Sequence, residues 1–565
     1  MKKTTFLTAL LLITTQVIFA QWDGNPAVVN NAVSNDLKDE RGIFSVTDGA
    51  GGAILAWIGW DNDSSLVNVY LQRKTSSGAV AWSTVSTPLF VFSSTTSALS
   101  YEGGIGDLVS DGAGGAYISF IDKLSNVTSN IFLQRVSHSG AILYTSGGIK
   151  INLTNGHEYS DAKMCADNAG VIICWTDQQL GNPDLTLETG KVFAQRYNLS
   201  GIAQWLVGGV QVSTAVGDKG FSEITSDGAN GAFISFCDAR NSSAPVNGYF
   251  DNIDIFAQHL SSTGSKLWGA QDVIVTTEPG IQYTLSVSDS RRSMIADSAG
   301  GFILIYRGSN FDVLYVQRLA ANGTRLWATL GVPLVGVLPG YMGNCNISYS
   351  AQNGLIVVWD QFLFAQNTGD VHAQNITSGG LVNWGSNGIL VSAPNIPNFY
   401  YNVGMSTMAA DGSGNYVVNW TNYDTVNYHF EIKGQKLNSL GARLWGVSGV
   451  DICVNPLADA QLPVILRSSN DSMIVAWMDG RNNNFDIYSA KIAPNGNLIS
   501  TYATIGNGNW NVPSIWSGNA VPPSGANVII RHTVNANINV SCNSLKVEPG
   551  ASFNINPGIN ITLLQ

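Results

Sequence analysis

A glycosidic bond can be cleaved by as little as two carboxyl groups, one protonating the leaving oxygen while the other attacks or activates water. Glu102 and Glu158 are this chain's candidates for that work. Both stand in short segments that vary along the sequence while their surroundings repeat. The same kind of segment holds Glu40, Arg41, His157, Asp218, Lys219, Arg291, Arg292, Tyr341, Tyr400 and Tyr401. Their charges, hydrogen-bonding groups and rings suit gripping a ligand, and the arginines with the tyrosines suit a sugar acid. A second chemistry is metal binding. "DNDSS" places Asp61 and Asp63 together, and "DNID" places Asp251 and Asp254 together. Hard oxygens in such clusters are what Ca²⁺ takes, although neither stretch has the glycine and terminal glutamate of an EF-hand loop. Calcium therefore stays open as a ligand, and no other cofactor is expected.

Most other chemistries lack their signatures. The sequence holds no Gly-x-Ser-x-Gly elbow, no His-Glu-x-x-His and no phosphate-binding loop. His138, His259, His372 and His429 fall in or beside a repeated strand and read as structural. The six cysteines are scattered without a two-residue spacing and read as small buried hydrophobes, with a Cys165–Cys174 disulfide left open.

The elements that must position these residues come from a repeat. "DGAGGAILAW" at Asp48–Trp57 returns as "DGAGGAYISF" at Asp111–Phe120, and the phrase occurs eight times. Its closing aromatics are Trp57, Phe120, Trp175, Phe236, Tyr306, Trp359, Trp420 and Trp477, spaced 53 to 70 residues apart. A second phrase follows each copy, as in "IFLQRVSHSGAILY" ending at Tyr144. In seven copies a Gln lies ten residues before the final aromatic and a Gly four before it; the eighth keeps Gly496 but loses both Gln and aromatic. An Asp-Gly-rich tight turn, an apolar strand buried on both faces, and a glycine hairpin follow from these phrases. With the apolar stretch before each Asp, every repeat supplies four strands. The Asp residues two places after the strand aromatic (Asp122, Asp177, Asp238, Asp479), two of them followed by Arg240 and Arg481, read as turn caps.

Four short antiparallel strands per repeat read as the blade of a β-propeller. The expectation is an all-β fold: an eight-bladed propeller over residues 21–503 with blades of about 60 residues, then a small β-module over 504–565. "WDGNPAVV" from Trp22 matches the segment after the repeat aromatic elsewhere ("WGSNGILV" from Trp384), so the N-terminal strand should complete blade eight and close the ring. A seven-bladed ring with one divergent unit, or an open solenoid, is the alternative. From Gly506 the short, evenly spaced strands suggest the first rungs of a β-solenoid, incomplete or capped by a partner.

Residues 1–20 combine Lys2 and Lys3 with an apolar run and a small Ala20, the pattern of a signal peptide. Only 12% of residues are charged, and the net charge of −11 disfavours nucleic acid as a partner. No stretch is long enough for an integral membrane segment.

The eightfold "D-G-x-G-G" and "Q-R…G…L-W" pattern resembles that of uncharacterised exported bacterial β-propeller-like repeat proteins, many of them carried by type IX secretion. The segment with Trp510, Trp516 and Pro522 resembles a module near the C-termini of such proteins. The resemblance implies an exported, extracellular or outer-surface location and carries no agreed activity. The leading expectation is a non-catalytic, surface-associated scaffold for adhesion to an extracellular protein or glycan. The alternative is a carbohydrate-active enzyme, a glycoside hydrolase or polysaccharide lyase, working at the propeller funnel with Glu102 or Glu158 as acid/base.

Overall fold

A computed structural model describes residues 22, 31–35, 38–60, 67–85, 87–94, 104–125, 128–178, 190–243, 250–285, 292–309, 313–335, 340–350, 353–363, 366–394, 396–397, 404–455, 457–516, 521–522 and 524–564. The expected signal peptide and Asp61, Asp63, Glu102, Arg291, Tyr400 and Tyr401 lie outside the described residues.

The sheets from Trp22 to Ser500 form an eight-bladed β-propeller. Blade 1 is Asp39–Thr47, Ala53–Trp60, Val67–Lys74 and Leu89–Ser93, paired antiparallel in chain order. Blade 2 runs from Gly104 to Lys150, blade 3 from Glu158 to Gln211, blade 4 from Lys219 to Thr276 and blade 5 from Tyr283 to Pro333. Blade 6 spans Tyr341–Leu390, blade 7 Gly404–Cys453 and blade 8 Ala460–Ile492. In each blade the second strand is the buried apolar run read from the sequence, and its aromatic sits in the core: Trp57, Phe120, Trp359, Trp420 and Trp477 are fully buried. Truncating such a residue to Ala costs about 3–5 kcal/mol.

The fixed spacings have a physical cause. Gln134 Oε1 accepts from the backbone N–H of Arg135 (2.9 Å) and of Tyr144 (3.0 Å), while its Nε2 donates to the Thr145 carbonyl (2.8 Å). One buried amide thus clamps both arms of the hairpin, which fixes the ten residues between them. Gln195, Gln258, Gln374 and Gln435 repeat the clamp. In the Asp-Gly turn, Asp111 Oδ1 accepts from the N–H groups of Ala113 and Gly115, and Oδ2 takes Arg135. A Cβ on Gly115 would lie 2.1 Å from the Val136 carbonyl, so the turn admits no side chain there.

The aromatic that ends each repeat reaches into the next blade. Trp82 Nε1 donates to the His138 carbonyl (2.9 Å), Trp205 to Ser262 (2.9 Å) and Trp268 to Ala321 (2.9 Å). Trp22 does the same to Ser76 of blade 1 (3.0 Å) and is 2% exposed. It is the eighth aromatic, supplied from the start of the ring. The segment after it completes blade 8: Ala32 bridges Tyr488, Val33 N–H donates to the Ile487 carbonyl (2.7 Å), and Ser489 N–H donates to the Asn31 carbonyl (3.1 Å). Blade 8 has only three strands of its own, so this closure removes its open edge. Lys74 is buried at the same seam, its Nζ on the Ala32 carbonyl (3.1 Å) and 5.5 Å from the Trp22 ring centre; burial pushes the amine down to about 7.

The second unit is Thr501–Gln565. Thr501–Ala503 pairs in parallel with Asn527–Ile529, so this unit begins at 501 and not at 504. Its strands stack in two parallel ladders, which makes it a short β-solenoid. Trp510 and Trp516 fill its core edge to face, with ring centres 4.7 Å apart. Asn554, Asn535 and Asn509 hydrogen-bond in sequence up one face, the side-chain ladder that suits stacked parallel strands.

Candidate functional site

Chain direction puts the loop between the second and third strands of a blade on the same face as the lead-in to the next innermost strand. The sequence-selected residues were expected at that mouth, and the structure corrects several of them. Glu40 is fully buried: its Oε1 accepts from Ser34 Oγ (2.6 Å) and Trp57 Nε1 (2.7 Å), and its Oε2 from the Ile487 N–H (3.1 Å). It is a clasp of the ring seam, because one donor each comes from the closing segment (Ser34), blade 1 (Trp57) and blade 8 (Ile487). Lys219 is 4% exposed; its Nζ donates to the carbonyls of Ala215 and Gly217 and pairs with Asp238 at 3.4 Å. Asp218 accepts the Gly190 N–H, and burial raises its carboxyl above the usual range. These three serve the backbone around them.

His157 Nδ1 meets Asp177 Oδ1 at 2.7 Å, and Glu158 pairs with Lys123 at 3.7 Å. Tyr341 is covered by the Arg307 guanidinium, 4.2 Å from its ring centre. Two of the four Asp residues read as turn caps act so: Asp238 takes the N–H and guanidinium of Arg240, and Asp479 those of Arg481, whereas Asp122 and Asp177 lie within strands and Asp177 takes His157 instead. All six cysteines are free thiols, five of them buried.

Arg292 does not face the mouth either. Its guanidinium crosses the channel to Asp107 of blade 2 (2.8 Å), and a second nitrogen lies 3.4 Å from the Met164 carbonyl of blade 3. Asp107 in turn accepts the Met164 N–H at 2.7 Å. Glu223 of blade 4 joins this network electrostatically with Lys163, Arg292, Asp107 and Asp161. It is 2% exposed, its Oε1 has no hydrogen-bond partner, and burial pushes its carboxyl up to about 7. The sequence reading missed Asp107, Lys163 and Glu223, because each sits inside a strand that reads only as alternating. Both Asp107 and Glu223 are too deeply buried to meet a substrate. The innermost strands of blades 3, 4, 7 and 8 each break register, with Asp161, Phe221, Met405 and Leu462 in the left-handed region at φ 55°, 52°, 45° and 53°.

Among the described residues, open cavities lie on this face between neighbouring blades. One, of about 520 Å³, lies between blades 7, 8 and 1 and is lined by Asp39, Arg41, His429, Asp459, Asn484 and Phe485 among others. Arg41 is held by Asp39 (2.7 Å) with its guanidinium 5.7 Å from the Phe485 ring centre, and His429 lies 3.6 Å from Asp459. The side chains of Arg41, His429 and Asp459 are 38%, 30% and 37% exposed, so they stay available to a visitor. Arg41 was foreseen; His429 was read as structural, and Asp39 and Asp459 were not singled out. The second cavity, of about 480 Å³, is lined by Asn241, Asp251, Asn252, Asp254, Glu278 and neighbours of blades 4 and 5. Burial raises the Asp254 carboxyl above its usual range, whereas hydrogen bonds from Ser242 and Ser243 lower that of Asp251.

No protein family and no curated protein matches this sequence. Solved structures do align. A puromycin hydrolase aligns at TM-score 0.40 and 12% identity over 82% of this chain, which spans 61% of that protein's length. A protein of unknown function from Dyadobacter fermentans aligns at TM-score 0.35 and 8% identity, covering 69% of this chain and 95% of the other. An α-L-arabinofuranosidase of Fusarium graminearum aligns at TM-score 0.33 and 9% identity, covering 63% and 98%. Among the described residues no helix is long and apolar enough to cross a membrane.

Proposed function

We propose that this chain is an exported, surface-associated propeller scaffold that binds an extracellular glycan or protein without turning it over. The observation that supports this reading is the cavity of about 520 Å³ beside the ring seam, a size that suits a small ligand or one sugar unit of a chain. Within it a guanidinium, an imidazole, two carboxylates and an aromatic ring present unlike groups to one space. Carboxylates accept sugar hydroxyls and the guanidinium donates to ring or carboxyl oxygens. Glu158 is tied to Lys123 and the channel acids are buried, which favours binding over hydrolysis. The basic and apolar first 20 residues and the repeat resemblance support export, with type IX secretion as the proposed route.

A glycan-array screen of the purified mature chain tests this, reading binding and product release together. Binding without release, weakened at least tenfold by Arg41→Ala and by Asp459→Asn, is expected. Product release overturns the non-catalytic reading, and binding indifferent to both substitutions overturns the site.

A further inference from the structure

We propose that ring closure is a proton-coupled latch: seating the N-terminal segment against blades 8 and 1 expels protons from Lys74 and Lys491 to solvent, and protonating these amines loosens the seam. Neither lysine lines the cavity beside the seam, so the latch stands whether or not that cavity takes a glycan.

Two breaks in the repeat carry the inference, and both fall at the seam. Lys74 stands two places after the clamping Gln72, where every other blade puts a buried apolar side chain or a tyrosine, Val136, Leu260, Ile376 and Ile492 among them. It is itself 3% exposed, with its Nζ on the Ala32 carbonyl (3.1 Å) and 5.5 Å from the Trp22 ring centre. Lys491 stands one place earlier in the repeat. At that place Arg73, Arg135, Arg196, Arg318 and Lys436 each pair with an Asp of the turn before the second strand. In blade 8 Ser468 replaces that Asp, and Lys491 Nζ turns instead to the Ser76 carbonyl (2.9 Å) and to Ser469 Oγ (3.4 Å). The Ser76 carbonyl also accepts Trp22 Nε1, so one oxygen of blade 1 joins the closing tryptophan to the blade 8 amine.

Among the described residues no carboxylate pairs with either amine. The charged groups of the flanking elements are already engaged: Asp48 holds Arg73, Asp471 holds Arg467, and Glu40 takes Ser34, Trp57 and the Ile487 N–H. Burial alone therefore acts on the two lysines, pushing Lys74 down to about 7 and Lys491 to about 8. A protonated amine here is a buried charge without a counter-ion, whereas the neutral amine still donates to its carbonyl. Opening the seam returns both amines to water and to the ordinary lysine value of 10.5, so opening takes up protons. The closed seam thus gains strength as pH rises from about 7 toward 10.5, and is weakest at and below 7.

Hydrogen exchange of the mature full-length chain, corrected for the intrinsic rate at each pH, tests the latch at the Val33, Ser34 and Ser489 amides that close blade 8. Their protection should rise at least tenfold from about pH 7 to pH 9, relative to amides of the blade 5 strand Phe302–Arg307. Lys74→Met restores the apolar pattern of the other blades; it should raise protection at pH 7 and remove most of the rise. Adding Lys491→Met should make seam protection equal at the two pH values. Should Lys74→Met fail to fold, Lys491→Met alone should still cut the rise at least threefold. Seam protection that tracks blade 5 at both pH values overturns the latch, as does a rise that survives these substitutions.

Discussion

The cavity beside blade 8 and the cavity beside blade 4 occupy the same position in two copies of one repeat and share carboxylates and asparagines, yet only the first adds a guanidinium, an imidazole and an aromatic ring. Each is walled by the loop after an Asp-x-Arg-Asn turn (Asp479-x-Arg481-Asn482, Asp238-x-Arg240-Asn241) and by the lead-in to the next blade. At blade 8 the next blade is blade 1, whose Asp39 and Arg41 bring a fixed ion pair, and blade 7 adds His429. At blade 4 the neighbour brings Glu278 and Pro279, and the lining residues include no basic side chain. The repeat therefore supplies a socket, and the lead-in of the following blade changes its lining.

That comparison can be broken, most forcefully at the seam. Deleting residues 21–34 removes Trp22 and Val33, both buried, together with the strand that closes blade 8. A stability loss of more than about 5 kcal/mol is expected from the two lost core side chains alone. An unchanged melting temperature would sink the closure assignment.

Glu223 sharpens the comparison from the channel, as an unmatched carboxylate oxygen with cations nearby and no cavity. Its folded-state value of about 7 lies above the ordinary 4.5, so the folded chain holds the extra proton between those values. Stability conferred by that proton falls as pH rises from about 4.5 to 7 and is flat above. Glu223→Gln should abolish this slope and raise stability at pH 8 by up to about 3 kcal/mol, read from denaturant unfolding at a series of pH values. A slope that persists in the variant would assign it to another group.

The smallest effects separate the two sockets themselves. Asp486→Asn should cost about 1–3 kcal/mol, because an amide turns a donor toward Asn482 or Asn484 where both oxygens now accept. Asp254→Asn should change stability by less than about 1 kcal/mol, since its Oδ1 has no donor to lose. Equal costs at the two positions would mean that the blade 4 oxygen is matched after all.

Which of these features could be read from the sequence follows from how far each interaction reaches. The blades, the Gln clamp and the glycine turns depend on residues within about a dozen positions, and fixed spacing announced them. Closure was legible because "WDGNPAVV" repeats a phrase whose partner was missing at Ser500. The sites were harder. Arg292 and Asp107 are 185 residues apart, and each cavity gathers side chains from three strands of different blades or from two neighbouring ones. Glu40 and Lys219 look like mouth residues by position, but the closing strand turns one into a clasp and the carbonyls of Ala215 and Gly217 consume the other. His429, the first residue of the strand His429–Leu437, carries no sequence signal that separates it from His138, His259 and His372.

The pairing of Asn31 with Ser489 spans 458 residues, and that sets an order of events. Blades 2 to 7 need only their neighbours and can assemble as they are made, in the manner of stacked repeats. Trp22 meets Ser76 and Lys74 of blade 1 early, but the residues of blade 8 that complete its burial arrive last. A long loop closes slowly, so shutting the ring is the late step of folding. A chain delivered from its N-terminus begins as an open arc whose first tryptophan is its most vulnerable residue, and becomes a ring only at the end.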